Sequence, residues 1–313
     1  MKNDRKLGLA GKLIALAVLL SVAALTLPGA HAQATGQTTF ATSKEAVDGF
    51  IQAVRESNAS TLLAILGPGS EEIVSSGDSV ADKNGRDNFL ARYDLKHSLI
   101  ASGPDELSLN VGKDDWPLPI PLVHANDKWY WDGAAGKEEI LYRRIGDNEL
   151  AAIGACKGVV AAQRDYAAAG HDGLPAGIYA QRLVSQSGKQ DGLYWQVNEG
   201  ETPSPAGPLL AQASSEGYGG SSPRAPYHGY YYRMLKAQGA NAKGGAKSYI
   251  VDGNMTGGFA VVAYPADYRS SGVTTFLVNE NGTIYQKDLG EKTVDLARQI
   301  TEYNPDNSWK VVK

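Results

Sequence analysis

The sequence predicts an α+β protein of two lobes, each built from helices and an antiparallel sheet. Three observations carry that expectation. Residues 43–99 place apolar side chains at helical spacing, and Leu107, Leu109 and Val111 then switch to the period of two that marks a half-buried strand. The same order recurs from Gly136 to Gly170, a helical rhythm, and from His228 onward, a series of strand-like runs. No fixed-period repeat and no sustained heptads compete with this reading. Helices followed by an antiparallel meander make an α+β unit, so the lobes are drawn at 40–145 and 146–313.

Ahead of them lies a leader. Lys2, Arg5, Lys6 and Lys12 precede an apolar run from Leu13 to Leu27, and Ala30-His31-Ala32 has the spacing of a cleavage site. The run is short for a membrane span and small residues follow it, so residues 1–32 are read as a signal peptide cleaved near Ala32, with no membrane anchor afterwards. The expected location is the periplasm. The only cysteine, Cys156, lies far from the cleavage point, which excludes a lipid-anchored cysteine there and also excludes an internal disulfide. Its neighbours Ile153 and Val160 are apolar, so it reads as a small buried hydrophobe. Removing residues 1–32 takes the formal net charge from −4 to −7, a poor match for nucleic acid.

In the first lobe, Thr42-Ser43-Lys44-Glu45 has the spacing of a capping box, and Ala46, Val47, Phe50, Ile51 and Val54 share one helical face behind it. A second helix fits Ser60 to Leu66, stopped by Gly67-Pro68-Gly69, and a third fits Ser79 to Leu99. Trp116-Pro117-Leu118-Pro119-Ile120-Pro121-Leu122-Val123 reads as an edge strand, because its prolines remove donors from one side only. The gap at Ala125 to Lys128 makes a hairpin with Trp129-Tyr130-Trp131.

The second lobe opens with the helix from Gly136 to Gly170, expected to bend at Gly146, with Asp147 or Asn148 capping its second half. Residues 184–226 are rich in Gly, Ser and Pro and form a long surface excursion. Strands fit His228 to Leu235, Gly258 to Tyr264, Val273 to Asn279 and Thr283 to Lys287, with Asn281-Gly282 as a hairpin signal. A last helix fits Thr293 to Tyr303.

Several of these strings resemble a known family. They are Trp116 to Leu122 with Trp129 to Asp132, Arg143 to Glu149, Asp191 to Trp195, Tyr227 to Arg233, and Gly257 to Pro265 through Tyr285 to Gly290. They resemble the bacterial domain of unknown function 2950, over about Phe40 to Trp309. The resemblance implies an exported protein of a family with no established activity, so it carries no catalytic residue over. Some relatives have an acidic stretch before the Tyr179-Ala180-Gln181-Arg182 string; here His171-Asp172-Gly173-Leu174-Pro175 stands in its place and lacks the alternating carboxylates of a calcium loop. More weakly, the second half looks like the globular part of type IV pilins, without their leader and long apolar helix.

No G-x-S-x-G, H-E-x-x-H, P-loop, G-x-G-x-x-G or paired-cysteine motif is present. His97, His124, His171 and His228 lie on separated elements, so no metal and no cofactor are expected. The candidate ligand site is a ledge of rings: His228, Tyr230 and Tyr232 on one strand face, with Trp195 and Asp191 nearby because the excursion must return to that strand. The packing alternative is that these rings simply line the contact between sheet and helix. The expected function is non-catalytic binding of an envelope ligand or protein partner. The alternatives are a hydrolase of an envelope polymer, with His228 and Asp191 as acid and base, and a structural part of a secretion or pilus-like assembly.

Overall fold

The structure, a computed structural model, describes residues 34–198, 200–216, 218 and 225–313. The signal peptide read at 1–32 lies outside the described residues, as do Glu199, Gly217 and residues 219–224 of the excursion. The fold is α+β, and its buried apolar side chains form two clusters, one from Ala46 to Trp131 and one from Ala152 to Tyr303.

The first cluster is built on helices α1 (Ser43–Arg55), α2 (Ala59–Leu66), α3 (Glu71–Val74) and α4 (Ser79–Leu95). Thr42 caps α1 by accepting from Glu45 N at 3.1 Å, and the Glu45 carboxylate reaches back to Ala41 N. The five apolar residues expected on one face of α1 are all buried. They pack against strands β1 (His97–Gly103), β2 (Glu106–Val111), β3 (Trp116–Pro117), β4 (Leu122–Ala125) and β5 (Lys128–Trp131). Trp131 is fully buried, donates its indole N–H to Ala46 O at 3.0 Å and lies 4.9 Å from the Phe50 ring.

Two expectations are corrected here. The third helix ends at Leu95, and His97 opens β1, paired with Val111 of β2. Chain from His97 to Gly103 is an edge strand with little alternation, so its apolar residues mimicked a continuing helix. The proline-rich run is not one edge strand. β2 pairs β3 at Asn110 and Val111 and pairs β4 at Glu106 and Leu107, and the chain between leaves the sheet. Alternate prolines remove the donors a strand with neighbours on both sides needs, and β4 has such neighbours in β2 and β5. Leu118 and Ile120 instead point into the core, 9% and 2% exposed.

Helix α5 (Gly133–Ala168) runs 36 residues without a break and joins the clusters. The helix continues through Gly146, so neither Asp147 nor Asn148 starts a second half. Asp132 supplies the cap, accepting from Ala135 N at 3.0 Å. No helix among the described residues is long and apolar enough to cross a membrane.

After α5, β6 (Arg182–Val184) and β7 (Gly192–Tyr194) pair in parallel, and α6 (Gly207–Ser215) follows. The second sheet uses β8 (Tyr230–Leu235), β13 (Ala260–Pro265), β14 (Thr274–Asn279), β15 (Ile284–Asp288) and β16 (Lys310–Val311), antiparallel throughout, in the order 16-15-14-13-8. Short pairs β9 (Ala237–Gln238) with β10 (Lys247–Ser248), and β11 (Ile250–Val251) with β12 (Asn254–Met255), fill the connection between β8 and β13. Helix α7 (Thr293–Gln299) is shorter than expected. The chain after it is drawn out instead, where Tyr303 N donates to Ala237 O at 2.9 Å. Arg233 donates to the carbonyls of Ala297 and Ile300 after α7, while Tyr232, its neighbour on β8, lies by Cys156 of α5. Successive strand residues point to opposite faces, so α5 and α7 cover the two sides of this sheet. That is why every residue of β13 is buried and why its sequence is continuously apolar.

Candidate functional site

A cavity of about 640 Å³ opens where α4, α5, the proline-rich turn and the loop before β8 come together. Its floor is apolar, with Phe50, Leu62, Leu66, Leu118, Ile120 and Ile140. Its rim carries Arg86, Asp147, Glu216, Tyr218 and His228.

His228 reaches that rim on a turn. Tyr227 and Tyr230 exchange backbone hydrogen bonds of 2.9 and 3.1 Å across His228 and Gly229, whose φ angles are 47° and 69°. Two left-handed central residues define a type I′ turn, so His228 precedes the strand and the alternation argument does not reach it. Gly229 is required here for a second reason: a Cβ would stand 2.7 Å from Asn148 Nδ2 and 2.8 Å from Ser271 Cβ.

Tyr230 and Tyr232 do share a face, and it is the face turned to α5. Tyr230 is fully buried, and its hydroxyl donates to Thr274 O at 2.9 Å. Tyr232 is half-buried with its hydroxyl wholly enclosed and without a hydrogen-bond partner. Burial pushes both phenols well above their usual range. These rings line the sheet's contact with α5, as in the packing alternative.

Trp195 and Asp191 lie elsewhere. Trp195 packs against His171 and Tyr166, 5.3 and 6.4 Å between ring centroids, beside a separate hollow of about 360 Å³ with Pro203, Ser204 and Pro208. Asp191 faces Arg182 at 3.4 Å and accepts from Gln186 N at 2.8 Å. Asn148 lies under Gly229 and Tyr166 under Trp195. Eighteen helical residues separate them, about 27 Å at the rise of an α-helix, so the expected five-residue site does not assemble.

His228 finds another carboxylate. Its Nε2 is 2.9 Å from Glu216 Oε2, with both side chains about three-quarters covered. Asn84 of α4 donates to the Glu216 carbonyl at 2.7 Å. Tyr218 donates its hydroxyl to Asp78 at 2.9 Å and accepts from His228 N at 3.3 Å. Asp78 caps α4 through Val80 N and Ala81 N, and its other oxygen also takes Gly229 N at 3.1 Å. Burial, and then the Asp78 carboxylate, push the Tyr218 phenol far above its usual range, which keeps the proton that it donates. Sequence reading missed Glu216, Tyr218 and Arg86. Asp78 alone carried a signal, as an Asp before a helical run.

The remaining rim charges differ in how far they are committed. Arg144 donates to the carbonyls of Glu72 and Ile73 at 2.6 and 3.3 Å, and burial lowers its pKa from the usual value. Asp82 accepts from the backbone and hydroxyl of Ser76. Among the described residues Arg86 makes no ion pair or hydrogen bond, and its Nε is buried. No group of three His, Cys, Asp or Glu side chains among the described residues is placed to hold a metal ion.

A family model described as a protein of unknown function, DUF2950, matches residues 37–312. No curated protein and no solved structure matches the chain.

Proposed function

The chain belongs to the DUF2950 family, and from that premise, which brings no activity with it, we propose that it is an exported periplasmic protein that binds a small, largely apolar molecule without transforming it. The observation that carries this reading is the cavity: about 640 Å³, apolar below and polar at the rim. That volume falls inside the range of small-molecule sites, roughly 300–1,000 Å³, and so does the pattern of an apolar lining with a few polar groups. Three of the strings by which the sequence resembles its family contribute to the lining, through Trp116 to Ile120, Arg144 to Asn148, and His228. The binding role is thus read at His228 and the cavity below it, and the ledge of Tyr230 and Tyr232 gives way to it.

A plug tests this. Gly85 on α4 lines the cavity, and a Cβ there meets nothing within 4 Å, so Gly85→Trp can fill the space without a clash at its root. The native protein should enhance the fluorescence of the neutral probe N-phenyl-1-naphthylamine, and the variant should not, at equal thermal stability. Equal enhancement by both would overturn the reading. Export is tested separately, by the intact mass of periplasmic material, which should begin near Gln33.

One observation favours the hydrolase alternative. The His228–Glu216 pair at the rim has the arrangement of an imidazole oriented by a carboxylate, which can take a proton from water. Hydrolysis of p-nitrophenyl laurate that disappears in His228→Gln would support it over simple binding.

A further inference from the structure

The binding reading leaves the chemistry of the occupant open, and the rim restricts it. Its basic groups are Arg86, Arg144 and, when protonated, His228; its acidic groups are Asp82, Asp147 and Glu216. Arg144 is held by two backbone carbonyls, and His228 faces Glu216. Arg86 is the described rim cation that has no protein partner, and its Nε is shut off from water. A buried guanidinium N–H without an acceptor carries an uncompensated desolvation cost. An anionic head group at the mouth gives this guanidinium the partner that it lacks, because a carboxylate accepts from its terminal N–H groups.

The charge of that head is restricted as well. Three carboxylates share the described rim with two guanidinium groups, so a doubly charged phosphate monoester meets more repulsion than a singly charged carboxylate. Below the rim the lining is largely hydrocarbon and aromatic surface from Phe50, Leu62, Leu66, Leu118, Ile120 and Ile140. We infer that the cavity takes a singly charged amphiphile, a carboxylate on an apolar body of fatty-acid type, with Arg86 as the residue that anchors the carboxylate. This inference rests on the binding reading above and goes beyond it in naming the ligand class and its anchor.

Calorimetric titration with laurate, dodecanol and dodecyl phosphate, each below its micelle concentration, tests it on the full protein. Native protein should bind laurate at least tenfold more tightly than dodecanol, and more tightly than dodecyl phosphate. Arg86→Gln should lower laurate affinity by tenfold or more while leaving dodecanol unchanged, and Arg86→Lys should recover part of the loss. Equal affinity for laurate and dodecanol, or an unchanged ratio in Arg86→Gln, would overturn the assignment of Arg86. Tighter binding of dodecyl phosphate would overturn the single charge. If none of the three binds, or if Gly85→Trp binds them as well as the native protein does, the binding reading itself falls.

Discussion

The carboxylate of Asp78 accepts the hydroxyl of Tyr218 at 2.9 Å, across 140 positions of sequence. The same oxygen takes Gly229 N, and its twin caps α4, so one buried side chain joins the N-terminus of a helix in the first cluster to the turn that opens the second sheet. Removing it strips a cap and leaves two buried donors without an acceptor. Asp78→Ala should therefore destabilise by about 2 to 4 kcal/mol, more than the ~1 kcal/mol of a typical lost cap. Tyr218→Phe, which removes one donor and leaves Asp78 three others, should cost about 1 kcal/mol. Urea unfolding decides it, and equal losses in the two variants would contradict the three-way role of Asp78.

Cys156 is fully buried on α5, and burial pushes its thiol up to about 12. The native protein should label with a thiol reagent at pH 8 only as fast as it unfolds, and at once in denaturant. Cys156→Ser should lower stability by about 1 kcal/mol, since a polar hydroxyl replaces a small hydrophobe among Ala152, Val159 and Val160. Rapid labelling under native conditions would show that the thiol is reachable.

Tyr218 also sets an alkaline limit. Its folded pKa lies above the unfolded value of 10.0, so its contribution to stability is complete below pH 10 and is lost as the pH rises toward the folded value. Across that window each such group gives a slope of up to about 1.4 kcal/mol per pH unit. Denaturant midpoints between pH 8 and 11.5 should fall less steeply for Tyr218→Phe than for the native protein. Parallel curves would mean that the phenol ionises as freely folded as unfolded.

What could be read in the sequence was periodic, and what could not was made by tertiary meetings. The capped α1 and the strands β8, β13, β14 and β15 follow from side-chain period and turn residues, which act within a few positions, whereas the two-residue β16 is too short to carry a period. The edge strand of prolines failed because β2 divides its length between two partners, a choice no local pattern records. At the site, His228 drew attention as a polar residue beside a run of tyrosines, yet its conformation comes from Gly229 and its partner from the Gly/Ser/Pro-rich excursion. Glu216, Tyr218 and Arg86 had no sequence context that set them apart, because what distinguishes them is burial and the presence or absence of a partner. The argument that loop ends meet puts Trp195 with His228, but β7 ahead of Trp195 pairs with β6 in a sheet of its own, and Trp195 lies by Tyr166, eighteen residues along α5 from the Asn148 under Gly229.

Gly229 and Gly85 give the last expectation, since the same substitution should have opposite signs at the two positions. Gly85 sits inside helix α4 with open space where a Cβ would go, so Gly85→Ala improves helix propensity and reduces the freedom of the unfolded chain. It should stabilise by about 0.5 to 1 kcal/mol. Gly229 has φ +69°, where an alanine is strained, and its Cβ would stand within 2.8 Å of Asn148 and Ser271. Neither neighbour can give way cheaply, because Asn148 is tied to Ser271 O by a buried 2.8 Å hydrogen bond. Gly229→Ala should therefore destabilise by about 2 kcal/mol or more. It should also displace His228 from Glu216 and from the cavity rim, and so reduce probe binding in protein that remains folded. Denaturant midpoints at unchanged slope report the two stabilities, and a neutral Gly229→Ala would mean that the turn, and with it the placement of His228, is not held as described.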